Sequence, residues 1–76
     1  MNLISWIRSL SQVEQDNYFR QAARFFSNRE LAEIIQYIRS GNSLYQAHLK
    51  SGVLQRYEVD LVNLKGSWRP QDSTMQ

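Results

Sequence analysis

Three side chains near the carboxyl end of the chain, Gln55, Arg56 and Asn63, are of the types that read nucleic-acid bases. Arginine forks onto guanine, and glutamine or asparagine pairs with adenine through two hydrogen bonds, while an intervening Val59 can meet a thymine methyl. Arg39, Ser43 and Lys50, just upstream, are types that hold phosphate oxygens and so fix register without reading sequence. These six residues form the candidate contacts to double-stranded DNA. Glu58 and Asp60 work against them, because both lie in the reading segment and repel phosphate, and Arg56 is its only cation before Lys65.

Other chemistries find little to work with. His48 is the single histidine and there is no cysteine, so disulfides, thiol catalysis and cysteine-type zinc sites are excluded together. No glycine-rich phosphate loop or nucleophile motif is present, and the expectation is that the chain is not an enzyme. His48 has no second histidine to join it on a metal, and its nearest carboxylate in sequence is Glu58, so neither a metal nor another cofactor is expected.

The candidate contacts need two helices to carry them. Residues 42–64 read as such a pair, turned at Ser51-Gly52-Val53. Asn42 or Ser43 can cap the first member, whose inner face is Leu44, Ala47 and His48. Leu54, Tyr57, Leu61 and Leu64 recur at helical spacing in the second, which runs to Lys65 with Gly66 as its cap. The arrangement is that of a helix-turn-helix, in which the second helix lies in the major groove. It departs from the usual pattern in one respect: the small residue expected four positions before the turn glycine is His48, with Ala47 one further back.

Upstream lies the scaffold. Leu3, Ile4, Ile7 and Leu10 give a short first helix. Ser11-x-x-Glu14 and Ser27-x-x-Glu30 both have the capping-box pattern, in which a hydroxyl and a carboxylate satisfy each other's backbone amides. Helix two then spans about Gln12 to Phe26, with an apolar arc from Tyr18 and Phe19 to Phe25 and Phe26 that is wide enough to need more than one neighbour. Asp16, Arg20 and Arg24, spaced by four, suggest an exposed ion-pair ladder opposite. Helix three buries Leu31, Ile34, Ile35 and Ile38, carries Arg39 in its last turn, and ends on Gly41 as a left-handed cap.

These elements predict an all-α fold, a compact bundle of four to five short helices with a helix-turn-helix-like pair in the C-terminal half. Residues 1–66 form one domain, and residues 67–76 a flexible tail in which Trp68 alone could fold back. Nine basic against seven acidic residues leave a net charge of +2, mixed along the chain, so the basic stripe of a strong nucleic-acid binder is missing. No segment is long and apolar enough to span a bilayer, and Arg8 follows the first apolar run rather than preceding it, so a cytoplasmic protein without a membrane partner is expected.

The leading expectation is a small DNA-binding transcriptional regulator. A homodimer would suit it, with Phe19, Ala23 and Phe26 as a candidate apolar interface. The alternative is a protein-interaction module, an adaptor or inhibitor, that grips a partner protein with that aromatic surface or with the segment around Trp68.

Overall fold

Serines start three of the helices. Ser11, Ser27 and Ser43 each accept from the amide three residues on, and Glu14, Glu30 and Gln46 return their side chains to the serine amides. These local exchanges satisfy backbone donors that the first turn leaves unpaired, and they fix where the elements begin. In a computed structural model, which describes residues 2–69, the order is α1 Leu3–Ser9, α2 Gln12–Ala22, a 3-10 turn Ala23–Phe25, α3 Asn28–Arg39, α4 Leu44–Lys50, α5 Val53–Arg56 and α6 Glu58–Ser67. Among the described residues there is no strand, and none of these helices is long and apolar enough to cross a membrane.

The wide face of α2 divides its burial between two groups of rings. Tyr18 turns to α1 and α6, where Trp6, Tyr18 and Trp68 meet edge to face with centroids 5.0–5.7 Å apart. The Tyr18 hydroxyl donates to the Leu61 carbonyl at 2.6 Å, and burial pushes its pKa up to about 12. Phe19 turns to α4 and stacks on His48 at 3.9 Å, and Phe26 lies between His48 and Tyr57. Ile7, Val53 and Leu61 are fully buried in the same core.

Several expectations about element ends are corrected. Helix two stops at Ala22, and the 3-10 turn carries the chain to an extended Phe26. The single helix expected from Leu54 to Lys65 is two, because Tyr57 leaves helical geometry at φ −113° and ψ 28°. At the same place the chain is tied at long range: the Tyr57 hydroxyl donates to the Glu30 carboxylate on α3, and Arg56 forms an ion pair with the same group. Gly66 is not a left-handed cap, since α6 runs through it to Ser67, whereas Gly41 and Gly52 do have positive φ.

Trp68 is only 7% exposed, and its indole N–H donates to Asn17 Oδ1 at 2.8 Å. Ser67 is thus the last helical residue, Trp68 is packed into the core and Arg69 is exposed. The rest of the expected tail, residues 70–76, lies outside the described residues.

An apolar groove between the second and third helices

The four-residue stripe of α3 should all be buried, and it is not. Ile34 is 4% exposed, but Ile35 is 49% and Ile38 40% exposed, with Leu31 half-buried beside them. Two anchors set the rotation of α3. The Ser27 box fixes its first turn, and Glu30 is tied to Arg56 and Tyr57. The face carrying Glu30 and Ile34 is thereby turned inward, and α3 packs closely on α4 but only sparsely on α2.

Between α2 and α3 lies a groove of about 420 Å³. Leu31, Ile35 and Ile38 form one wall, Phe19 and Ala23 the other, and Ile34, Leu44 and His48 line it as well. Asp16 and Arg20 are its polar rim. The expected charge ladder along α2 does not form: Asp16 accepts from Gln12 Nε2 at 3.1 Å, Arg24 lies over the Phe25 ring at 5.2 Å, and Arg20 has no hydrogen bond or ion pair among the described residues.

His48 is clamped in this site. Its Nδ1 lies 2.8 Å from the Leu44 carbonyl, its ring stacks on Phe19, and burial holds its pKa below the ordinary histidine value. The ring is therefore neutral near pH 7.

The six candidate DNA contacts are spread from the end of α3 to α6. Arg39, at the end of α3, and Asn63, on α6, are exposed. The Ser43 hydroxyl is used in its capping box, and Lys50 Nζ donates to Asn42 Oδ1 at 2.7 Å. Lys50 and Arg56 share a cleft of about 350 Å³ with Glu33, while Gln55 opens on the other side beside Glu58 and α1. Arg56 is held by Glu30 rather than presented to solvent alone. Val59, Glu58 and Asp60 are exposed along the same segment, so its outer surface is apolar and acidic as well as polar.

Glu30 is the strongest electrostatic feature. The hydrogen bond from Tyr57 is the largest influence on it, followed by the Ser27 amide, and with Arg56 these pull its pKa down to about 2. The same contact raises the Tyr57 hydroxyl above its usual value. Among the described residues, no three His, Cys, Asp or Glu side chains gather as metal ligands would.

No family model matches the chain, and no similar protein emerges from comparison with curated proteins or with solved structures.

Of the candidate interface residues, Phe19 and Ala23 line the groove, Phe19 as a buried side chain with little surface of its own, while Phe26 is buried away from it between His48 and Tyr57. Sequence reasoning missed the wall formed by Leu31, Ile35 and Ile38. A signal was present: α2 and α3 each carry a broad apolar stripe, and the remaining helices are too short to cover both.

Proposed function

We propose that this chain is a protein-interaction module, and that the groove between α2 and α3 receives the apolar face of an amphipathic helix from a partner protein. The observation that carries this reading is the uncovered stripe Leu31, Ile35, Ile38, spaced as the anchors of a helix-in-groove contact are. From Leu31 to Ile38 the wall is ~10 Å long, enough to meet two turns of a docked helix. A monomer gains nothing by leaving isoleucines open above a concave apolar floor, and such surfaces mark binding sites.

A DNA-reading role fits this geometry less well. Arg56 is paired with Glu30, Gln55 and Arg56 open to different clefts, and α5 is a single turn. A recognition helix needs a continuous presentation of such side chains and cations around them.

A panel of amphipathic helical peptides, titrated against the methyl-labelled protein, tests the proposal. Binding peptides should move the Ile35 and Ile38 methyl resonances, with affinity that hardly changes as salt is raised. The proposal fails if duplex DNA binds with a steep salt dependence while no peptide disturbs those methyls.

A further inference from the structure

The groove has polar equipment as well as apolar walls, and the two together say what its occupant must bring. His48 Nδ1 faces the Leu44 carbonyl, which can only accept, so Nδ1 carries the proton of the neutral ring and Nε2 is left with an acceptor lone pair. Nε2 has no partner among the described residues, although every fully buried side-chain nitrogen or oxygen there has one. His48 as a whole is only 3% exposed and lines the groove, and because no fully enclosed side-chain nitrogen or oxygen among the described residues lacks a partner, the unpaired Nε2 keeps some access. Stacking on Phe19 fixes the direction of that lone pair.

An apolar occupant that expelled water from the groove would strand this acceptor, which is a penalty unless the occupant supplies a donor in its place. At the rim, Arg20 is a cation with no bond inside the described chain. Because the volume of about 420 Å³ accommodates a large ring, the fitting anchor is an aromatic side chain that ends in a donor. We infer that the partner helix carries a tryptophan whose indole N–H donates to His48 Nε2, with a carboxylate nearby that meets Arg20. This rests on the groove being a docking site, and it narrows the partner to one surface chemistry.

Three small probes stand in for the anchor in titrations of the isotope-labelled 76-residue chain: indole, 1-methylindole and indole-3-propionate. Indole is expected to move the Ile35 and Ile38 methyls and the His48 Nε2 resonance. 1-Methylindole, similar in shape but lacking the donor, is expected to bind about tenfold more weakly. His48→Phe should erase that difference by removing the acceptor while keeping a ring to stack on Phe19; the Nε2 shift in the unaltered protein gives the same answer without a variant. Indole-3-propionate should bind more tightly than indole, and Arg20→Gln should abolish its gain. Equal affinities for indole and 1-methylindole, with both moving the groove methyls, would overturn the tryptophan assignment and leave the groove reading standing. A carboxylate that brings no gain would remove the acidic neighbour. If no probe moves the groove methyls, the docking site itself is wrong. Concentration-dependent shifts of Ile35 and Ile38 in the protein alone would make the occupant a second copy of this chain and overturn the partner named here.

Discussion

Adjacent isoleucines on α3 should respond in opposite ways to substitution. Ile34 is 4% exposed, so Ile34→Ala removes buried methyl groups and leaves a void, at ~2–5 kcal/mol. Ile35 and Ile38 are 49% and 40% exposed, so replacing both by lysine should cost the free protein far less: each lysine stem can lie along the same apolar surface with its ammonium in water. Full burial of an isoleucine is worth ~1.5–3 kcal/mol, so the open fractions leave together ~1–3 kcal/mol for a partner to recover. The lysine pair should therefore weaken a docked helix by about tenfold to a hundredfold. Urea unfolding followed by circular dichroism reads the first effect, and titration with a groove-binding peptide reads the second. If the lysine pair unfolds the chain as readily as Ile34→Ala, the rotation assigned to α3 is wrong and the groove argument goes with it.

Three further outcomes are expected. Trp68→Ala should cost ~3–5 kcal/mol in urea unfolding, a large share of the ~4–11 kcal/mol available to a chain of this size, whereas a loss under ~1 kcal/mol would mean that Trp68 lies outside the core. Stability should fall with acid in two steps. His48 has a folded pKa below 6.5, so the unfolded chain takes up the proton first and stability drops as pH falls below 6.5; Glu30, lowered from 4.5 to about 2, contributes above 4.5 and loses that contribution as pH falls toward 2. Unfolding midpoints across pH should lose the upper step in His48→Phe and the lower one in Glu30→Gln, and unchanged profiles would refute both assignments. Gly66→Ala, in helical backbone with open space around the new methyl, should stabilise the fold by ~0.5–1 kcal/mol, while Gly52→Ala, at φ +84° and 3.1 Å from Arg56 Nη2, should destabilise it by ~1–2 kcal/mol in the same assay.

What could be read from the sequence was what neighbouring residues decide. The boxes at Ser11 and Ser27 and the left-handed Gly41 depend on residues three or four apart, and all are where their local chemistry puts them. Tyr57 kept the helical spacing of Leu54, Leu61 and Leu64, yet the helix breaks at it, where its hydroxyl reaches Glu30, 27 residues away. Trp68 looked like a tail residue because its partner, Asn17, is 51 residues distant. Arg56 read as a free cation for the same reason. The groove was hidden differently: periodicity marked the apolar face of α3 correctly, but not how much of it the other helices could reach.

The contact between Glu30, Arg56 and Tyr57 ties this long-range chemistry to the groove. The Arg56 side chain is half-exposed, and such ion pairs add little to stability. Their directional effect is larger. Successive helical residues differ by about 100°, so rolling α3 by one position would bury Ile35 in place of Ile34. The same roll would carry the Glu30 carboxylate away from Tyr57 and Arg56 and leave a half-buried hydroxyl without its acceptor. The clamp thus blocks the rearrangement by which the chain could cover its own stripe. With α3 held in this rotation and α2 committed to Trp6, Trp68 and His48, Ile35 and Ile38 stay exposed among the described residues, and theirs is the surface that the proposed partner helix would cover.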